Sequence, residues 1–189
     1  MQLDTALPWL ALCLTRGIAA RLSARLLKQF GSLESVCRAA LRQLEGCELP
    51  AATAQAIFKK EAFKRAEKEL AGIAAIPGCQ LGNWSEPEYP QTLLQIYDPP
   101  VLLCLRGDVQ ILNAPSLAVV GTRRPTFYGT QMADRLARDL AARGIVIVSG
   151  LARGIGAIAH QGTMTANGRA IGVLGTGIDV CYPRENKKL

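Results

Sequence analysis

Residues 144–162 read GIVIVSGLARGIGAIAHQG. The run Ile145–Val148 is apolar and rich in β-branched residues, and it ends at Ser149–Gly150. Glycine then recurs at Gly154, Gly156 and Gly162, with Arg153 as the one charged side chain of the stretch. A short, continuously apolar run closed by glycine predicts a strand inside a parallel sheet, and GIGAIAHQGTMTANG after it predicts a helix. The same pattern lies on either side. LAVVG (117–121) and AIGVLG (170–175) are further short apolar runs, and TFYGTQMADRLARDLAARG fills the space between the first two strands. In that helix Met132, Leu136 and Leu140 recur every four residues and are expected to face the core. Gly144 and Gly168 are expected to end the two helices. Strands alternating with amphipathic helices predict an α/β fold with a buried, Rossmann-like parallel sheet over 117–189.

Strands of a parallel sheet point one way, so the turns after Val120, Ser149 and Leu174 should emerge on one edge. Those turns hold Gly121, Thr122, Arg123 and Arg124, then Ser149, Gly150, Arg153 and Gly154, then Gly175, Thr176 and Gly177. Two explanations of the glycines stand side by side. An anion can approach bare amides near helix N-termini, or the glycines serve tight turns and close helix–sheet packing. Three such turns beside arginines favour phosphate. GIGAIA (154–159) formally matches a dinucleotide fingerprint, but it begins several residues after its strand, and AIGVLG ends without the acid that would hold a ribose. No G-x-x-x-x-G-K-S/T loop is present. No cofactor is therefore expected.

The chain has 189 residues, 22 Lys and Arg against 15 Asp and Glu, and a formal net charge of +7. Between Gly121 and Leu189 ten basic residues face four acidic ones, so the surplus concentrates there. That concentration points to a polyanionic partner. Arg135, Arg138 and Arg143 share a predicted helix with Asp134 and Asp139 and are expected to form an ordinary solvated face. Six dispersed cysteines, no C-x-x-C and a single histidine argue against a zinc site. The cysteines are expected to be mostly buried thiols in a reducing cytosol. ALPWLALCL is too short to span a bilayer. A cytoplasmic protein without membrane contact is expected.

Residues 1–72 predict a small all-helical domain. Ile18, Leu22, Leu26, Leu27 and Phe30 share a face, Gly31 stops that helix and Ser32 caps the next. Pro50 opens a predicted single long helix, with Ala54, Ile57, Phe58, Ala62, Ala66 and Leu70 on its apolar face and Gly72 at its end. The order of these pieces resembles a SAM-like or helix-hairpin-helix domain. Its would-be Gly-x-Gly turn has only Gly17, which favours a packing or partner-binding role over DNA binding. Residues 73–116 are expected to be a proline-rich connection with a lead-in strand at VLLCLRG.

Taken together, LAVVGTRRPTFYG, VIVSGLARGIGAIAH and IGVLGTGIDVCYPRENKKL resemble the DNA-processing protein A family (DprA, also called Smf), and EPEYPQTLLQIYDPPVLLCLRGD is similar to its lead-in. The resemblance implies a Rossmann-like domain that binds single-stranded DNA without a nucleotide cofactor, protects incoming strands in natural transformation and assists loading of RecA recombinase, commonly as a homodimer. It implies that Gly121, Thr122 and Arg123 form a DNA-contacting motif and that Tyr128 belongs to a Tyr-Gly motif. Ser149, Gly150 and Gly154 fall in the second turn, and Gly175, Thr176 and Gly177 in the third. Asn186 falls in a closing motif, with Lys187 or Lys188 facing DNA. The family has Asp where this chain has Gly156, so a weakened second turn is expected here. Phe127, Tyr128 and Tyr182 are the aromatics available for stacking, with Phe127 and Tyr182 expected in the core. His160 is expected to be a hydrogen-bonded structural residue.

The competing reading is an enzyme, a Rossmann-like nucleotide phosphoribohydrolase of the lysine-decarboxylase-like group. It would need carboxylates beside the sugar, and the glycine edge offers Asp179 and Glu185, which do not form a convincing catalytic constellation. The family continues well beyond the residues matched here, so a C-terminally truncated, incomplete sheet with an exposed edge is expected.

Overall fold

The computed structural model describes the backbone from residue 3 and side chains from residue 5. It divides the chain into two compact units, Met1–Gly107 and Asp108–Leu189.

In the first unit, helices α1 (Leu3–Leu14), α2 (Ala20–Phe30), α3 (Leu33–Arg38), α4 (Leu41–Glu45), α5 (Ala51–Phe58) and α6 (Phe63–Ala74) precede an antiparallel pair, β1 (Cys79–Asn83) and β2 (Leu102–Arg106). Leu26, Leu33, Val36, Leu44, Ala54 and Ile57 form the main core. Gly31 closes α2 in a left-handed conformation, φ 77°, and the Ser35 amide donates to the Ser32 side chain at 3.2 Å to cap α3. The predicted long helix after Pro50 is broken. Lys60 adopts φ 54° between α5 and α6, because the two halves bury their faces in different places. Ala54 and Ile57 join the main core, whereas Ala66, Leu70 and Ile73 pack with Leu10 and Ala11 of α1. Apolar residues spaced by four drift by about 40° per turn on a 3.6-residue helix, so one straight helix would rotate its stripe off either core. Gly72 lies inside α6 rather than ending it.

The boundaries expected near residues 72 and 116 differ from the structural division at Gly107. The lead-in strand, β2, pairs with β1 rather than with the parallel sheet. Trp84, Val101 and Leu102 pack against the helical core, and the Trp84 indole and Tyr89 hydroxyl donate to the Pro100 carbonyl at 2.8 and 2.6 Å. These contacts make 79–106 part of the first unit. At the would-be DNA hairpin, Gly17 has φ 84°, and a Cβ there would meet Thr53 Oγ1 at 2.6 Å. The turn is closed by packing. Of the cysteines expected to be buried, Cys47 is buried, but Cys13, Cys104 and Cys181 are exposed.

The second unit is the α/β part. Strands β3 (Ser116–Ala118), β4 (Val146–Gly150) and β5 (Ala170–Val173) alternate with α7 (Phe127–Ala141) and α8 (Ile155–Thr165). The sheet is parallel in the order β3-β4-β5. Each crossover steps in the same direction, and right-handed crossovers then put both helices on one face. Val119, Ile147, Ala137 and Ala159 form the core between them. Strand alternation turns Ala118, Val120, Val148, Ile171 and Val173 the other way, and there Val120 is 87% and Val173 60% exposed. Val146 on that same face is fully buried, so this side of the sheet is covered at the start of β4 and open toward the strand ends, not buried throughout as its apolar strands suggested.

The buried side of α7 is only partly the one expected. Leu140 packs against the core, but Met132 and Leu136 are exposed, and Ala133, Ala137 and Ala141 are buried instead. The alanine stripe lets α8 come close, and Gly162 completes that fit. A Cβ at Gly162 would lie 2.7 Å from the Asp134 carbonyl oxygen. Past α8, Asn167 takes the left-handed turn at φ 53°, and Gly168 lies against Ala141 with no room for a Cβ. Gly162→Ala tests this packing. In an open helix the change would stabilise by about 1 kcal/mol. Here the backbone of α7 blocks the methyl, so a net loss of about 1–2 kcal/mol is expected from overpacking. Chemical denaturation measures it, and a gain in stability contradicts the close approach.

Candidate nucleic-acid interface

The ladder register aligns the strand ends. Ala118 pairs with Val148, Ser149 with Gly172, and Gly150 with Val173. The turns that begin at Gly121, Gly150 and Gly175 therefore leave the sheet on one rim. The first two interlock. The Ile155 amide donates to the Thr122 carbonyl at 3.2 Å. A Cβ at Gly121 would meet the Ile155 side chain at 2.6 Å. Gly154, the residue before α8, has φ 78°, and a Cβ there would fall within contact distance of the Thr122 and Arg123 backbone. Thr122 is also used within its own turn, its hydroxyl accepting from the Arg124 amide at 3.1 Å.

Both explanations of the glycines thus apply, at different positions. At Gly121, Gly154 and Gly156, protein fills the space a side chain would take. At Gly175 nothing lies within 4 Å, and at Gly150 the nearest atom, the Val173 carbonyl oxygen, is 3.8 Å away. The space beside the backbone is open at Gly175 and bordered only by that carbonyl at Gly150. Gly177 faces the Asp179 carboxylate, and the Thr176 hydroxyl donates to the Val180 carbonyl at 3.0 Å, closing the third turn on itself.

Among the predicted residues, Ser149 is buried rather than displayed. Its hydroxyl donates to the Val119 carbonyl at 2.6 Å and ties β4 to β3. His160 is buried behind it, with Nε2 3.2 Å from the Ser149 carbonyl. Asn186 donates its amide to the Leu151 carbonyl at 2.8 Å, fastening the short 3₁₀ segment Arg184–Lys188 to the second turn. Arg153 forms a two-pronged ion pair with Glu185, at 2.7 and 3.1 Å. That pair holds the Glu185 carboxyl below, and the Arg153 guanidinium above, its ordinary range. Sequence reasoning missed this pairing because the partners lie 32 residues apart.

The remaining cations are uncommitted on the surface. Arg123, Arg124, Arg184, Lys187 and Lys188 are exposed, as is Arg169 just before β5 at the opposite end of the sheet, and among the described residues none of them has an ion pair. On α7 the basic residues have partners. Arg138 pairs with Asp134, and Arg135 lies 3.7 Å from Asp139. Arg143, just past the end of α7, donates to the Asp139 carbonyl. This is the solvated face expected from the sequence. The aromatics differ from expectation. Phe127 is 78%, Tyr128 71% and Tyr182 57% exposed, so neither Phe127 nor Tyr182 is a core residue. Phe127 and Tyr128 open α7 directly after its cap, Thr126, whose hydroxyl accepts from the Gly129 amide. The rim therefore carries guanidinium and ammonium groups, rings and two stretches of open backbone. Such a surface can neutralise phosphates and stack bases.

Two predictions concern the second turn. A Cβ at Gly156 would fall on the Gly150 carbonyl oxygen and 3.1 Å from Ser149 Oγ. The expected weakening from a missing Asp is corrected accordingly: this turn is built around glycine. Gly156→Asp should cost about 1–3 kcal/mol through overpacking, read by denaturation, and an Asp variant as stable as the parent contradicts the geometry. His160 is the second case. Burial holds its imidazole below the usual histidine range, with the Ser149 carbonyl opposing. As pH falls through about 6.5 the unfolded chain takes up the proton first. Stability is thus full above that value and declines until the lower, folded-state value is passed. Denaturation midpoints measured from about pH 7.5 to 5 should fall, and His160→Gln should flatten the part of that fall due to this ring.

Residues 80–189 match the family described as DNA recombination-mediator protein A. Over 106 residues the chain is 44% identical to the DNA processing protein DprA of Bacillus subtilis, which covers 56% of this chain and 36% of that protein. Over 101 residues it is 41% identical to protein Smf of Escherichia coli, covering 53% of this chain and 27% of that one. The matched segment thus spans about a third of these relatives' length. The crystal structure of DprA from Streptococcus pneumoniae superposes with a TM-score of 0.75 at 27% identity, over 94% of this chain and 60% of that one. A structure of Helicobacter pylori DNA processing protein A, described for its single-stranded DNA binding mode, gives a TM-score of 0.50 at 36% identity, over 57% of this chain and 48% of that one. The interlocked turns, the rim cations and the exposed rings all lie inside the matched residues, and the chain belongs to the DNA recombination-mediator protein A family.

Proposed function

We propose that the chain binds single-stranded DNA along the glycine-turn rim, as a DprA/Smf-type protein that shields incoming strands during natural transformation and assists loading of RecA. The observation that carries this reading is the coincidence on one sheet edge of exposed Arg123, Arg124, Arg184, Lys187 and Lys188 with the exposed rings of Phe127, Tyr128 and Tyr182. The cations supply a sequence-independent hold on phosphates. The rings offer faces to unpaired bases, which a duplex keeps stacked internally. Gly150 and Gly175 let a phosphate reach the backbone. Gly121, Thr122, Gly154 and Asn186 act indirectly, by fixing the turns that carry the arginines. Ser149 contributes through β-strand alignment, and Arg153 contacts the strand with the guanidinium edge that Glu185 leaves uncovered.

The hydrolase alternative is less well supported, because the Glu185 carboxylate is committed to Arg153. A homodimer fits the same reading.

Binding to oligo-dT should weaken steeply with salt, by a logarithmic slope of about −0.7 for each phosphate neutralised. Arg123→Ala should weaken binding to all sequences alike and reduce the slope by roughly one such increment. Tyr128→Ala should lower affinity for oligo-dT with the slope retained. Fluorescence anisotropy on single strands and duplexes of equal length measures all of these. Equal affinity for duplex, or a loss confined to one base in the Arg123 variant, defeats the proposal.

A further inference from the structure

In the first unit, the β1–β2 register places Cys79 opposite Arg106 and Cys104 opposite Leu81. Residues two apart on a strand share a face, so the two cysteines stand diagonally across the ladder on the same side. Their Sγ atoms are 3.3 Å apart. Both are reduced thiols, with Cys104 exposed and Cys79 half-buried. Cys79 begins β1, at the end of the pair away from the 84–101 connection. We propose that Cys79 and Cys104 form a dithiol modification site that a small-molecule disulfide, such as glutathione disulfide, converts to an intramolecular disulfide bridge.

The chemistry balances. The Cys104 thiolate, the more accessible of the two, attacks one sulfur of the small disulfide. That S–S bond breaks, a first small thiolate leaves, and Cys104 is left as a mixed disulfide. The Cys79 thiolate then attacks the Cys104 sulfur and expels the second small thiolate. The two protein thiols lose two electrons and two protons, and the small disulfide gains both as two thiols. The second step is intramolecular between sulfurs already in contact, so the mixed disulfide should not accumulate. A bridge at the open end of the β1–β2 pair closes the chain between residues 79 and 104, which restricts the unfolded state.

The test is incubation of the whole protein with glutathione disulfide, alkylation of remaining thiols, digestion without reduction and mass analysis. A cross-linked peptide joining Cys79 to Cys104, two hydrogens lighter than its separate parts, is expected as the main product, reversed by dithiothreitol. In Cys79→Ser the same treatment should leave glutathione on Cys104, at a level at least tenfold above that in the parent. The bridged protein should melt several degrees above the reduced form. The parent peptide map stands without any variant. Glutathione accumulating on Cys104 in the parent as it does in Cys79→Ser, or a bridge joining a different pair, overturns the proposal.

Discussion

The interlock of the first two glycine turns is the constraint on which the rest of the second unit depends. Ile155 fills the space where Gly121 lacks a side chain, and Gly154 sets its backbone against Thr122 and Arg123. Ile155 also packs on the core formed by Val119, Ala137, Ile147 and Ala159. One residue thus anchors the rim to the interior. The backbone beneath Arg123 and Arg124 is ordered by the fold itself, before any ligand arrives. If this surface holds a single strand as proposed, such prior ordering reduces the entropy lost on association.

Charge is arranged by the same economy of position. The basic residues of α7 are matched within the helix, by Asp134 and Asp139 one turn away. Exposed pairs of this kind contribute little stability, typically about 0.3–0.5 kcal/mol, but they cancel the local field. The arginines of the first turn and the lysines that end the chain have no such neighbours. Most of the second unit's net positive charge therefore lies at the strand C-termini, with Arg169 at the opposite end, and it is largely offset along the helix. Arg153 is intermediate. Glu185 offsets its charge while fastening the closing segment to the second turn, a fastening that Asn186 repeats through the Leu151 carbonyl.

The α/β alternation, the three strands and the single rim were legible because they rest on local patterning: apolar runs ended by glycine, and helices between them. Capping by Ser32 and Gly31 was legible for the same reason. What depended on distant contacts was not. Met132 and Leu136 have the right period for a core stripe, yet the alanines beside them are buried, because α8 approaches α7 more closely than leucine or methionine would permit. The helix after Pro50 looked continuous because nothing local showed that its halves serve separate cores. Residue type alone places Phe127 and Tyr182 in the interior, although strand order leaves too little covering structure on this unit to bury every large ring. Arg153 could be recognised as a rim residue, but its carboxylate partner could not.

The glycines of residues 149–162 illustrate why composition alone could not choose between packing and ligand. Absence of a Cβ is a single chemical fact with two physical uses. Where another part of the chain occupies the vacated space, as at Gly154, Gly156 and Gly162, the glycine brings two backbones together. Where the space stays open, as at Gly175 on the neighbouring turn, the same absence leaves the backbone accessible from outside. The first kind makes the second effective. Open backbone presents a fixed target for an anion only if the turns beside it cannot move, and closely packed glycines are what prevent them from moving. A glycine-rich turn of this type therefore combines two roles: its filled positions set the geometry, and its open positions leave backbone within reach from outside.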